Sequence, residues 1–429
     1  MPLTRRDLMR GGALAAAGAP FLAACDSPDR GGVTVNGRAK VRLWTWYSEQ
    51  RDEWPKLIRE FEQSHPKIMI ENRLFGDSDS YLPALQASVS AGDPPEIFAP
   101  HVLAIEYGKG GISVDLKKEL GADFLADFFP STNSEYTFGG KQYGLGWMAQ
   151  TFGLFYDPEI FAKADVDAPQ TWDDLLAIAP DIRSRAKVEP VAFSNNPGPS
   201  GLDFFLPLIT QATDDPQVVL DLDQQVHGKS WDSAPVIEAL QLVDKLQRAK
   251  VFAPGANGIK GDQAARMLYT GKAAMYFSGS WEPQGFVQSA PKEFVQRYRV
   301  MQTPAWAAGK RHWCANQAGA GLSVSAQSRN QEAALEFIRF LYEPARYTRT
   351  MNNSNSMPST QSAGKRVANP VLKQMTSWLV KGNGAPHILF GKGSSDSASN
   401  ALAALVAGQT SPKDAAATIQ KGVEKAAER

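Results

Sequence analysis

Between Val41 and Ala99 the chain alternates strand-like and helix-like runs, and this alternation restricts the fold more than any other feature. Val41-Arg42-Leu43-Trp44-Thr45-Trp46-Tyr47 has the β-branched and aromatic content of a strand. From about Gln50 to Ser64, Trp54, Leu57, Ile58 and Phe61 recur at helical spacing, and His65-Pro66 stops the helix, because a residue before proline is steered away from helical angles. Ile68-Met69-Ile70 opens the next strand. A strand, a crossover helix and a second strand imply a parallel pair with a right-handed connection. Tyr81 to Ala91 reads as another helix, ended by Gly92, and Glu96 to Ala99 as a short third strand. The class is therefore α/β, in which ligands sit at the carboxyl ends of strands. Trp44 to Tyr47 and His101 stand at such ends; which of Trp44 and Trp46 faces the crevice stays open.

A second informative stretch runs from Tyr136 to Phe161. Gly139-Gly140 suits a tight turn between Tyr136-Phe138 and Gln142-Leu145, since glycine adopts positive φ at little cost. Beyond this hairpin come Gly144, Gly146 and Trp147, then the apolar run Thr151 to Tyr156, a buried strand. Tyr143 to Ala149 reads either as a hinge crossing between two lobes, with Trp147 in the cleft, or as a hairpin leading into a core strand with a core Trp.

With 429 residues the chain is long enough for two cores. Lys+Arg and Asp+Glu both total 45, so no net field draws it to nucleic acid or an anionic surface. Thr4-Arg5-Arg6-Asp7-Leu8-Met9 is a twin-arginine element, and the small apolar run Gly11 to Ala24 is shorter than the ~20 residues that span a bilayer, which makes residues 1–24 a removable export signal. Leu22-Ala23-Ala24-Cys25 resembles a bacterial lipobox, so Cys25 is expected to carry a lipid, with residues 25–39 as a flexible tether. Cys314 is then left without a partner and is expected to be a buried, inert thiol.

Further on, Thr171 and Asp174 have capping-box spacing, which makes Trp172 a packing residue. Glu189 to Phe193 is strand-like and leads into a polar loop with Asn195. Pro235 to Ala249 is an amphipathic helix. Ala273 to Phe277 is a small-residue strand that delivers Gly279, Ser280, Trp281 and Glu282 to one point. Val300 to Pro304 and Gly319 to Val324 read as strands, Glu332 to Tyr342 as a helix, and the alanine-rich tail from Ala401 as helical packing.

No two His or Cys stand at zinc-ligand spacing, and neither G-x-S-x-G nor a Walker loop occurs, so no metal or cofactor is expected and catalysis is disfavoured. What remains are strand-end loops carrying Trp, Tyr, Asn, Asp, Glu and Ser. Indoles stack on the apolar faces of sugar rings while amides and carboxylates bind the hydroxyls. The charges flanking the aromatic sites, Glu49, Asp79 and Glu282, are acidic, which favours a neutral or amine-bearing saccharide over an anion. An exported carbohydrate-active enzyme would need a carboxylate pair, for which Glu49 and Glu282 are conceivable.

In order along Lys40 to Tyr342, the chain resembles the family 1 extracellular solute-binding proteins of ABC importers, the group of maltodextrin-binding protein. The shared runs are Trp44-Thr45-Trp46, Phe61-Glu62-Gln63-Ser64-His65-Pro66, Ala91-Gly92-Asp93-Pro94-Pro95-Glu96-Ile97, Tyr143-Gly144-Leu145, Tyr156-Asp157 with Phe161, and Pro169-Gln170-Thr171-Trp172-Asp173-Asp174-Leu175. Gly271-Lys272-Ala273-Ala274-Met275, Gly279-Ser280-Trp281 and Glu332 to Leu341 complete them. The resemblance implies a two-lobed, type II periplasmic-binding-protein-like fold, each lobe a mostly parallel sheet flanked by helices. It places 40–146 and 278–322 in the first lobe and 147–277 and 323–429 in the second, with hinge crossings near Gly144-Ala149, Tyr276-Gly279 and Gly319-Val324. It also implies a monomer that captures a carbohydrate between its lobes and hands it to the permease subunits of an ABC transporter. Trp46, His101, Trp147 and Trp281 would line the cleft, beside Tyr47, Glu49, Asp79, Asn195, Ser280 and Glu282. Two positions depart from the family pattern: Glu96 stands where Asp is usual, and His101 where Asp or Trp is often found. Members of the family also carry glycerophosphate derivatives.

Overall fold

The computed structural model describes residues 32–427 apart from 197, 198, 224, 388 and 390–393; the twin-arginine run and Cys25 lie outside the described residues. Arg38–Thr45 pairs in parallel with Ile68–Leu74 along its whole length, from Ala39 beside Ile68 to Thr45 beside Leu74, and with the short strand Ile97–Phe98 on its other side. The helix Trp54–Ser64 makes the crossover and buries Trp54, Leu57 and Phe61, as the spacing predicts. Glu96 closes this corner: its Oε2 accepts from the Arg42 main-chain N at 2.7 Å and from Arg42 Nε at 3.0 Å.

Two long strands carry the sheet from one lobe into the other. Leu145–Tyr156 and Cys314–Val324 run antiparallel to each other, and together they join all the principal strands into one ten-stranded sheet. At one end Cys314–Val324 pairs with Ile97–Phe98; at the other, Leu145–Tyr156 pairs with Ala273–Gly279, which lies parallel to Glu189–Ala192. Leu145, Trp147 and Met148 belong to the first core, with Leu43, Phe61 and Phe98; Ala149, Phe155, Phe152 and Leu154 belong to the packing of the second. The change of lobe thus falls between Met148 and Ala149, inside the stretch Tyr143 to Ala149.

The hairpin before this strand forms as expected. Thr137–Phe138 pairs with Lys141–Gln142, and Gly139 and Gly140 between them have φ of 58° and 76°, angles that a side chain disfavours. In the second lobe Thr171 and Asp174 make both bonds of the capping box. Trp172 is buried and donates from Nε1 to Gln211 Oε1 at 2.8 Å. The tail forms Ser394–Val406 and Pro412–Ala427, which bring Leu402, Leu405 and Ile419 to the second core. Cys314 is buried against Thr151, and burial pushes its thiol up to about 11.

The packing differs from the expected division in three respects. Ala273–Gly279 does not cross between lobes: among the described residues it pairs with the distal half of Leu145–Tyr156 and with Glu189–Ala192 alone. The segment after it stays in the second lobe, because Arg299–Met301 pairs with Leu154 to Tyr156 and because Phe286, Phe294 and Tyr298 pack on Phe155. Conversely, the helix Gln331–Leu341 belongs to the first lobe, where Phe337 meets Phe61 at 4.8 Å between ring centroids. The chain then touches the second lobe at Met357, whose carbonyl accepts from Ala149 N at 2.9 Å, pairs back on the first lobe through Thr360 beside Phe128 and buries Ala363 there, and enters the second lobe at Val367. Among the described residues the chain is carried back over Ser354 to Val367, whereas Tyr276 to Gly279 does not cross.

Candidate functional site

The strand Ala273–Gly279 is buried throughout and ends where the two lobes meet, so whatever follows it is presented at that junction. Gly279 lets the chain fold back: a Cβ there would lie 2.1 Å from the Trp281 ring. The Trp281 indole is half-buried and stands edge-on to Phe152, with centroids 5.0 Å apart and planes at 86°. Its Nε1 donates to Glu282 Oε1 at 3.1 Å, and Ser278 Oγ donates to the same oxygen at 2.8 Å.

Glu282 is only 7% exposed, and that burial pushes its carboxyl up to about 7. Ser278, Tyr276 and Trp281 oppose the shift, and the charge of Glu49 adds to it. Glu49 comes from the other lobe, on the turn Ser48–Gln50 just past the first strand, and burial raises its carboxyl as well. Glu49 shares one small pocket with Ser280, Trp281 and Ser356. Trp281 and Glu282 also form the wall of a cavity of about 660 Å³ in the second lobe, lined further by Phe152, Asp203, Tyr276 and Ser278. This volume lies in the range of small-molecule sites.

The remaining expected residues are distributed unevenly. Trp46 is half-buried in an aromatic group with Tyr47, Tyr81 and His101, at centroid distances of 4.9, 4.7 and 5.2 Å. His101 has φ 49°, its Nδ1 is buried without a partner, and burial lowers the imidazole to about 4, so the ring is neutral. Neither Trp46 nor His101 belongs to the lining of the large cavity. Tyr47 is buried and its hydroxyl donates to Gly321 O at 2.7 Å, which ties the first strand to a crossing strand. Trp147 departs most clearly from expectation: it is wholly buried and stacks on Trp54, so it is a core residue and not a wall of the cleft.

Ser280 is buried beneath the junction and donates to Ala149 O at 3.3 Å. Asn195 is 3% exposed and donates from Nδ2 to Asn257 Oδ1 at 2.6 Å, while its neighbour Ser194 lines the cavity instead. Asp79 lies in the first turn of the helix Ser78–Ser90, and its side chain is outside the described residues. One cavity residue went unnoticed in the sequence. Asp203 lines the cavity with its Oδ1 2.7 Å from His387 Nδ1, and its carboxyl is raised by burial against the lowering effect of that histidine. Its signal was an acid alone in the apolar run Leu202-Asp203-Phe204-Phe205-Leu206.

The architecture is shared with known proteins. A solved structure from work on xylan utilization by Caldanaerobius polysaccharolyticus superposes with a TM-score of 0.77 at 20% identity, covering 89% of this chain and 99% of that one. The GacH receptor of Streptomyces glaucescens, solved unliganded and with acarbose, gives 0.75 at 20% identity, covering 91% and 98%. In sequence, the multiple sugar-binding protein of Streptococcus mutans is 22% identical over 336 residues, 75% of each chain. The model of the bacterial extracellular solute-binding protein family matches residues 47–346. This α/β chain of two sheet-and-helix lobes belongs to the bacterial extracellular solute-binding proteins.

Proposed function

We propose that this protein captures a sugar or oligosaccharide between its lobes and delivers it to the permease of an ABC transporter. The observation that carries the reading is that Glu49 from the first lobe shares a pocket with Trp281 from the second, and that the same indole, bonded to Glu282, also lines the larger cavity. An indole offers a flat apolar face to a pyranose ring, and carboxylates accept from its hydroxyls. The sugars named for several relatives support the same solute class. A ligand touching both lobes favours the closed form only through contacts that the open form lacks, and micromolar capture requires about 8 kcal/mol net.

The lobes take the type II arrangement in this reading, and the mature chain is a monomer tethered outside the cell by a lipid on Cys25. Trp46 and His101 form the first lobe's aromatic wall. A glycerophosphate ligand is the second reading, weakened by the lining, in which, among the described residues, Arg266 is the one cation beside Asp203, Asp262 and Glu282. Isothermal calorimetry of the chain from residue 26 onward against mono- and oligosaccharides tests the proposal. Heat with at least one sugar supports it; silence with all sugars and heat with glycerophosphodiesters overturns it.

A further inference from the structure

The junction is unusual in its balance of donors and charges. Ser278 and Trp281 already donate to the Glu282 carboxylate, and the single proton of the nearby Tyr276 hydroxyl is given to Gly261 O at 3.1 Å. Asp203 is engaged by His387. Among the described residues neither Glu49 nor Glu282 makes an ion pair, and the only cation lining the cavity, Arg266, is exposed. A solute entering here meets acceptors and negative charge from both lobes. A hydroxyl has one proton to donate, whereas an ammonium has three donors, a positive charge and no acceptor.

We propose that the solute is a sugar bearing a protonated amine, which Glu49 of the first lobe and Glu282 of the second hold between them. This rests on the sugar-binding reading and narrows it. Without such a ligand, closure drives two poorly solvated carboxylates toward each other, which favours the open form. An ammonium between them reverses the sign of that interaction, so the ligand's charge becomes the differential contact that closes the lobes. Among the described residues Glu49, Tyr276, Ser278, Trp281 and Tyr298 act on Glu282 and none is positive, while Asp262 and the exposed Arg266 line the same cavity.

The test uses glucosamine, galactosamine and their disaccharides as probes, each paired with its hydroxyl and N-acetyl counterparts, by calorimetry at pH 7.5 in low salt. At least one amine is expected to bind tenfold or more tightly than its hydroxyl partner. That advantage should shrink below threefold in Glu282→Gln and in Glu49→Gln, with folding checked by thermal melting. It should also shrink at pH 5.5, where Glu282 holds its proton although the sugar amine is then fully charged. If hydroxyl sugars bind as tightly as their amines in the unaltered protein, the charge proposal is overturned and the sugar reading stands. If no sugar of any kind binds, both are lost.

Discussion

Trp147 stacks on Trp54 with ring centroids 5.3 Å apart and planes 20° from parallel, and Tyr342 and Tyr347 meet it edge-on at 5.3 and 5.1 Å. This indole therefore fastens the start of the crossing strand to the helix Trp54–Ser64 and to the segment that follows Gln331–Leu341. Replacing it leaves a large void that its aromatic neighbours cannot close. Trp147→Ala is expected to lose about 3–5 kcal/mol in urea unfolding. A variant that unfolds like the parent but no longer binds sugar would return Trp147 to the cleft.

Trp281→Ala should behave in the opposite way. The ring is half-buried at the mouth of a cavity, so its removal disturbs the core little while stripping the ligand of its stacking surface. Affinity is expected to fall at least tenfold, or about 1.4 kcal/mol or more, with the circular dichroism spectrum unchanged. Normal binding by the folded variant would move the site elsewhere.

Glu282 gives the protein a pH dependence whose direction is fixed by its raised pKa. With the folded carboxyl at about 7 and an ordinary value of 4.5 when unfolded, the folded state holds the proton more tightly. Its contribution to stability is therefore greatest below pH 4.5, declines as pH rises between those values, and becomes a full penalty above about 7. The penalty is on the order of 3 kcal/mol. Glu282→Gln keeps an acceptor for Ser278 and Trp281 and removes the charge, so it should melt higher than the parent at pH 8 and alike at pH 4.5. Equal melting at both pH values would refute this account of the site.

Local signals in the sequence translated well because they are short-range. The period of Trp54, Leu57 and Phe61, the Gly139-Gly140 turn and the Thr171–Asp174 box each depend on residues a few positions apart. Lobe membership is different, since each lobe is assembled from separate visits of the chain. Nothing within Gln331–Leu341 says which core its apolar face will meet; Phe337 finds Phe61 across 276 residues. The same holds for indoles. Trp147 and Trp281 both follow glycine-containing strand ends, and only the presence of Trp54, Tyr342 and Tyr347 around one of them separates core from cleft. Asp203 could be noticed as an isolated acid but not placed, because its partner His387 lies 184 residues away.

Gln50 links the cleft to the return segment Ser354 to Val367. It is wholly buried next to Glu49, and its Nε2 donates to Ser354 Oγ at 2.8 Å and Ser356 Oγ at 3.1 Å, where the chain begins its return. A ligand bearing on Glu49, as proposed, would act one peptide away from the stretch over which the chain leaves the first lobe. Gln50→Ala removes both bonds; Ser354 Oγ keeps Thr350 O as an acceptor at 2.9 Å, so the loss should stay near 1–3 kcal/mol and the fold should persist. With that stretch no longer held in one geometry, ligand affinity should fall severalfold, and the contraction on sugar binding seen by small-angle X-ray scattering should diminish. Gln50→Glu separates the two contributions, because it keeps the shape but replaces the amide that donates to the serine oxygens with an acceptor and adds charge beside Glu49. If Gln50→Ala leaves affinity, stability and contraction as they were, the return segment bends independently of the cleft and the link is refuted.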